Sequence, residues 1–274
     1  MKNLRLLFLL LIFLNSSCKA QREKINGLSF VASPDKINAI HTGPVIKTQS
    51  NYVALMPFGF IREIASPKIT YNNNRQWFGE TKVGLLQYAE KFQKLHIKMM
   101  VKPQIWVWNG VYTGLIEMDS EEKWKILEES YSAFILTYAK AAEEINADIL
   151  CIGTELEKFV ANRPAYWLEL IKKIKKVYAG KLTYAANWDE YKRVSFWGEL
   201  DFIGIDAYFP LSAKKTPTVQ EFENGWKPHK EEISQIQKKF NTPVIFTEFG
   251  YRSVDFTGKK PWDSKRVEAN VNLE

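Results

Sequence analysis

Two cysteines and three histidines in 274 residues leave few metal or redox chemistries open. Cys18 and Cys151 fall in no zinc-type spacing, so neither a metal centre nor a cofactor is expected. Cys151 lies inside an apolar run, which suits a lone buried thiol. The chain also lacks a phosphate-binding glycine loop, internal repeats, low-complexity tracts and a linker-like boundary. Strong charge of one sign is missing too. The formal net charge of +7 includes Lys2 and Arg5 of a leader, and the lysines are spread along helical stretches such as Ile171–Lys176. Such lysines ordinarily form a solvated helix face, and nucleic acid is not an expected partner.

What the chain does carry begins with that leader. Met1–Arg5 is short and basic, Leu6–Leu14 is apolar but too short to span a bilayer, and Asn15-Ser16-Ser17-Cys18 follows. This resembles a bacterial lipoprotein signal, with Leu14 one place further from the cysteine than is usual. Residues 1–18 are expected to be a signal segment with a lipid on Cys18, which puts the chain in the bacterial cell envelope, outside the cytoplasm and membrane-anchored. Ordinary secretion is the alternative. Aromatics are abundant, with nine Trp and twelve Tyr, enough to pack a large core and to offer flat faces to a ligand.

Beyond residue 18 the pattern is strand then helix. Apolar strands are expected at Gly27–Ala32, Asn51–Phe60, Ile97–Trp108, Asp148–Glu157, Lys181–Asn187, Leu200–Tyr208 and Pro243–Tyr251. Between them, helical spacing is read over Thr81–Leu95, Ser120–Glu144 with Ser120 as N-cap, Arg163–Tyr178 and Glu221–Phe240. Continuous apolar strands alternating with helices imply a parallel α/β sheet. Without a phosphate loop, a (β/α)8 TIM barrel is favoured over a doubly wound sheet, as a single domain over residues 19–274. Only seven strands can be counted, and Ser264–Glu274 reads as the start of a seventh helix. The last β/α unit is therefore expected to be absent from a C-terminally incomplete chain.

In such a barrel the chemistry sits where strands end. DILCIGTELE ends its apolar run in Glu155, and PVIFTEFGY ends in Glu248. A charged strand tip costs several kcal/mol, roughly, unless partners or function keep it there. Around the two glutamates the strand ends offer Lys102, Gln104, Trp106, Asn187, Trp188, Asp206, Tyr208 and Tyr251. Carboxylates, amides, a phenol and indoles, without a catalytic histidine or a metal triad, point to glycosidic-bond chemistry. That chemistry needs one carboxyl group to protonate the leaving oxygen and another to stabilise or attack the anomeric carbon. Glu155 is expected as acid/base and Glu248 as nucleophile, with Tyr208 hydrogen-bonded to Glu248. Lys102, Trp106, Asn187, Trp188, Tyr208 and Tyr251 are the expected substrate contacts. Alternatives remain open at several positions. Glu157 rivals Glu155, Lys102 can instead balance the two glutamates, Trp106 and Trp108 serve either core or sugar platform, and Asp148 and Asp206 fix loops or cap helices.

Four ordered motifs, CIGTELEKF, LTYAANWDEY, LDFIGIDAYFPL and PVIFTEFGYRS, resemble glycoside hydrolase family 113, a β-mannanase family of the retaining clan A. The resemblance covers Leu28 to about Tyr251. It implies acid/base and nucleophile roles for Glu155 and Glu248, retention, endo-attack on β-1,4-mannan, and sugar contacts at Asn187 and Tyr208. Thr154 stands where many clan members carry asparagine, which affects the contact to the sugar 2-hydroxyl. The absent eighth strand would also remove a stacking tryptophan. The alternatives are an inactive glycan-binding surface lipoprotein, or a related β-glucanase or exo-β-mannosidase.

Overall fold

Short strands that are apolar on both faces must be covered on both, and here helices provide the outer cover. The computed structural model of the chain describes residues 24–263. It contains nine strands: β1 Gly27–Phe30, β2 Tyr52–Leu55, β3 Phe58–Ile61, β4 Lys98–Val101, β5 Gln104–Val107, β6 Ile149–Thr154, β7 Lys181–Asn187, β8 Phe202–Asp206 and β9 Val244–Glu248. The α-helices are α1 Ala39–Lys47, α2 Lys82–Lys94, α3 Glu121–Glu144, α4 Glu157–Asn162, α5 Pro164–Lys175 and α6 Val219–Phe240. The leader with Cys18 and the helix expected over Ser264–Glu274 lie outside the described residues.

Seven strands pair in the order β1-β2-β4-β6-β7-β8-β9, every neighbour parallel. Lys102, just beyond β4, makes an ion pair with Asp206 on β8 and another with Glu248 on β9, four places along the sheet. In a flat sheet four strands span about 19 Å, far beyond one lysine side chain. The sheet therefore curls into a nearly closed barrel. Its edges among the described residues are β1 and β9.

Two of the expected strands are each divided. Asn51–Phe60 breaks after Leu55 and Ile97–Trp108 breaks after Val101, at Met56-Pro57 and Lys102-Pro103. Proline has no N–H for the ladder. The register nevertheless runs on unchanged, from Leu55 opposite Val101 to Phe58 opposite Gln104. The result is a two-stranded ribbon, β3 and β5, standing above the barrel rim. The helix expected over Arg163–Tyr178 is α5, which begins on Pro164, the first-turn position that proline tolerates, while the short α4, ending at Asn162, precedes it without a counterpart in the expected elements. Helix α1 has no counterpart in the expected elements. A capping box between Asn38 and His41 starts it, and its apolar residues are not gathered on one face, so periodicity is weak.

The longest helix buries what its spacing promised, whereas α6 has no fully buried residue. In α3, Trp124, Leu127, Tyr131, Phe134, Ile135 and Tyr138 are all buried, and the Ser120 hydroxyl accepts the Lys123 N–H at 3.3 Å. Tyr131, Phe159, Trp167, Tyr184 and Phe196 pack ring against ring beneath β6 and β7. These rings fill the shell beneath the two strands that carry Glu155 and Asn187. Gly204 admits no side chain, because a Cβ there would stand 2.2 Å from the Tyr184 carbonyl oxygen. Gly204→Ala would push β8 away from β7. No helix among the described residues is long and apolar enough to cross a membrane.

Candidate active site

Both strands that end in glutamate are irregular at their tips. Pairing of β6 with β7 shifts between Cys151 and Thr154, and pairing of β8 with β9 shifts between Ile205 and Asp206. Such bulges re-aim a side chain at the end of a strand. Glu155 goes further and adopts a left-handed backbone with φ 50°. For a non-glycine residue this costs of order 1–3 kcal/mol and persists only when neighbours hold it. Here its N–H donates to the Ala185 carbonyl at 2.8 Å and its own carbonyl accepts from Thr113 Oγ1 at 3.1 Å.

Glu248 ends β9 with both oxygens engaged. Oε1 accepts from Lys102 Nζ and, at 3.3 Å, from Gln104 Nε2, while Oε2 accepts from Tyr208 Oη at 2.9 Å. Lys102 is fully buried, and its Nζ also meets Asp206 Oδ1 at 3.2 Å and Oδ2 at 3.3 Å. Thr247 Oγ1 donates to Asp206 Oδ1 at 2.7 Å. Two of the expected roles are corrected by this geometry. Lys102 is not a sugar contact, since it lies beneath Glu248 with no surface open to a ligand. Asp206 neither fixes a loop nor caps a helix but completes a buried carboxylate–ammonium–carboxylate triad.

The electrostatics of the two glutamates are opposed. Burial pushes the Glu155 carboxyl well above the usual range, and the negative charges of Asp206 and Glu248 push it further. No partner holds its side chain among the described residues. Burial acts on Glu248 in the same direction, but the Lys102 ammonium and the donors Tyr208 and Gln104 outweigh it and leave Glu248 below its ordinary value. Lys102 shows the complement. Burial would strip its proton, yet Asp206 and Glu248 hold it firmly ammonium.

A cleft of about 830 Å³ opens over this pair, lined by Tyr112, Glu155, Asn187, Trp188, Tyr208, Glu248 and Tyr251 among others. That is ample for several sugar units. A second hollow of about 230 Å³ joins it through Tyr112, Glu155 and Glu248 and adds Gln104, Trp106 and Thr154. All the expected site residues except Lys102 therefore face these two spaces. Trp188 stacks on Trp262 with centroids 5.7 Å apart. Tyr251 offers only its ring, because its hydroxyl donates to the Phe209 carbonyl at 2.7 Å. Glu157 begins α4 and pairs with Arg193, which removes it as a rival to Glu155.

Several participants are invisible in the sequence pattern. Tyr112, whose hydroxyl accepts from Asn187 Nδ2 at 2.9 Å, comes from a loop in which Asn109 and Gly110 are both left-handed. Trp262 arrives from a distant loop. Glu190 is buried behind Asn187, accepting the Asn187 N–H at 2.9 Å and the Tyr184 hydroxyl at 2.6 Å, and burial pushes its carboxyl up to about 8. No group of three or more metal-ligating side chains occurs among the described residues.

A parallel barrel that presents two carboxyl groups of opposite protonation bias at its strand tips, under indoles and amides, defines a glycoside hydrolase. The sequence profile of Glycoside Hydrolase Family 113 matches residues 40–274, and the chain belongs to that family. In fold it is similar to a family 113 β-mannanase from Alicyclobacillus acidocaldarius, with TM-score 0.80 and 23% identity over 92% of this chain and 78% of that one. Two further family 113 β-1,4-mannanase structures match with TM-scores of 0.76 and 0.74, at 23% and 24% identity, over 92% of this chain and 80% of each of those. Among curated proteins none matches the chain.

Proposed function

We propose that the chain hydrolyses β-1,4-mannosidic bonds with retention of configuration, Glu155 serving as acid/base and Glu248 as nucleophile. The observation that carries this reading is the opposed bias of the two carboxyl groups. Glu155 favours the protonated form and Glu248 the ionised one, the division that double displacement demands at its first step. Glu155 passes its proton to the glycosidic oxygen as a Glu248 oxygen bonds to the anomeric carbon and the leaving sugar departs. Glu155, now ionised, then takes a proton from water as that water attacks the anomeric carbon and releases Glu248. Lys102, Tyr208 and Gln104 keep Glu248 ionised and aimed, and Asn187 with the indoles of Trp106 and Trp188 orients the sugar. Mannan is supported by the β-mannanase activity named for the family 113 structures that share the fold. The leader supports an envelope location with a lipid on Cys18.

The test is to incubate the enzyme with a slowly released 2-fluoro mannosyl substrate and digest the product. A mass increase on the peptide containing Glu248, and β-anomeric product first in the proton spectrum with mannotetraose, are the expected results. α-Anomer appearing first overturns retention, and Glu248→Ala with normal turnover overturns the assignment.

A further inference from the structure

A third hollow at the barrel rim, about 820 Å³, matches the cleft over Glu248 in size and shares no lining residue with it. Its floor is apolar, formed by the buried Ile61 and Ile69 together with Phe60 and Tyr71. Gln76 pins the bordering loop, donating from Nε2 to the Phe58 carbonyl at 2.9 Å and accepting the Asn73 N–H at 3.0 Å. Arg62, Asn74 and Arg75 stand exposed around the floor, and none of these three side chains has a hydrogen-bond or ion-pair partner among the described residues. Trp108 forms one wall, 66% exposed and without a ring neighbour among the described residues. An apolar floor, an open indole and unpartnered donors are what a pyranose needs, since its faces are apolar and its rim is hydroxyl.

The ribbon ties this hollow to the chemistry. Gln104, on β5, touches Glu248, Trp106 lines the hollow beside it, and Trp108 follows two residues on. The left-handed pair Asn109 and Gly110 then turns the backbone back toward Tyr112, with Gly110 lying near the Trp106 ring. We propose that this third hollow is a distal subsite for sugar units of the same β-linked chain that is cut between Glu155 and Glu248. Trp108 is its stacking platform, and Arg62, Asn74 and Arg75 donate to hydroxyls. The proposal rests on the glycoside hydrolase reading above and deepens it.

The test compares chain lengths. Trp108→Ala and, separately, Arg62→Ala with Asn74→Ala are assayed on mannan, mannohexaose and an aryl β-mannobioside, with melting temperature as a folding control. The expected result is a loss of about five- to tenfold in kcat/KM on mannan and mannohexaose, and none on the aryl substrate. Equal loss on all three, or no loss on any, overturns the proposal. Calorimetric titration in a Glu248→Gln background, with manno- and gluco-oligosaccharides of three and six units, separates the two readings. Wild-type chain that cuts no mannan sinks the mannan assignment, whereas a hexasaccharide of either series gaining nothing over its trisaccharide sinks the distal subsite.

A second inference stands on independent contacts. The Leu156 N–H donates to Tyr184 Oη at 2.6 Å, Tyr184 donates to Glu190 Oε1 at 2.6 Å, and the Asn187 N–H donates to Glu190 Oε2 at 2.9 Å. All of this is buried apart from Asn187. The geometry points to Glu190 as a positioning residue: one buried carboxyl group, through the Tyr184 hydroxyl, ties the residue after the left-handed Glu155 to the backbone of Asn187, fixing both strand tips relative to each other. Glu190→Gln and Tyr184→Phe are each expected to lower kcat on mannan by about ten- to a hundredfold with KM within about twofold. A fall in melting temperature with kcat unchanged in both variants overturns it.

Discussion

Replacing Lys102 by methionine keeps the unbranched apolar stem, one atom shorter, and removes the charge, leaving Asp206 and Glu248 facing each other without the cation between them. Lys102 is completely buried, so water does little to screen the loss. Removing one partner of a buried ion pair costs about 3–5 kcal/mol. At about 2–4 °C per kcal/mol for a chain of this size, melting should fall by roughly 6–20 °C near neutral pH. The sign of the pH dependence is distinctive. Glu248 is held below its ordinary value in the native enzyme, so its contribution to stability is present above the unfolded value and lost as pH falls through the folded one. Without Lys102, burial and the facing Asp206 are opposed only by the Tyr208 and Gln104 hydrogen bonds, and the folded value rises above the unfolded one. The contribution then changes sign, and the stability deficit of Lys102→Met narrows as the pH is lowered. Activity reports the same change. An opposite charge this close shifts a carboxyl by about 1–3 pH units, so the acid limb of kcat/KM should move up by that amount. The profile is measured with an aryl β-mannoside and melting is followed by calorimetry at pH 5 and 7. An acid limb that stays in place refutes the idea that Lys102 keeps Glu248 ionised.

Three other perturbations bear on the same site or on its location. Glu155→Gln is expected to lower kcat/KM on mannan by about 10²–10⁴ and to abolish the alkaline limb, with a smaller loss on an aryl substrate whose leaving group needs no proton. A persisting alkaline limb would assign the acid elsewhere. Tyr208→Phe removes one hydrogen bond to ionised Glu248, worth about 1.5–3 kcal/mol, and should raise the acid limb by about one to two pH units. Cys18→Ser should move the full-length chain from the membrane fraction to the soluble fraction, and retention in the pellet would dismiss the lipid on Cys18.

Glu155 and Glu248 could be singled out from sequence because each closes an apolar run, and an unexplained carboxylate at a strand tip is a local signal. Ser120, the face of α3 and the seven parallel strands were legible for the same reason, since cap and period are written in neighbouring residues. Lys102 was harder. A lysine in an apolar strand fits a sugar contact and a buried counter-charge equally well until Asp206 and Glu248 are placed around it across the barrel. Tyr112, Trp262 and Glu190 reach the site through loop conformations or through contacts between separate strand ends, and no periodicity encodes those. The division of two strands at Pro57 and Pro103 was written in the sequence, and its consequence, a ribbon that continues in register above the rim, depended on the pairing partner having a proline at the matching position.

Strain at Glu155 offers the sharpest separation of stability from catalysis. Its left-handed backbone is held from one side by the Ala185 carbonyl in β7 and from the other by the Thr113 hydroxyl, which comes from the same loop as Tyr112. Thr113→Val keeps the shape and deletes the donor. A single neutral hydrogen bond contributes about 1 kcal/mol, so melting should fall by only about 2–4 °C. Relaxation of the backbone would meanwhile swing the Glu155 carboxyl away from the glycosidic oxygen, and a misplacement of about 1 Å costs about 10²-fold in rate. A large fall in kcat beside a small fall in melting temperature is therefore expected on mannan. Equal and modest changes in both would mean that the contact between Ala185 and Glu155 alone holds the left-handed turn, and that Thr113 belongs to the loop rather than to the machinery of proton transfer.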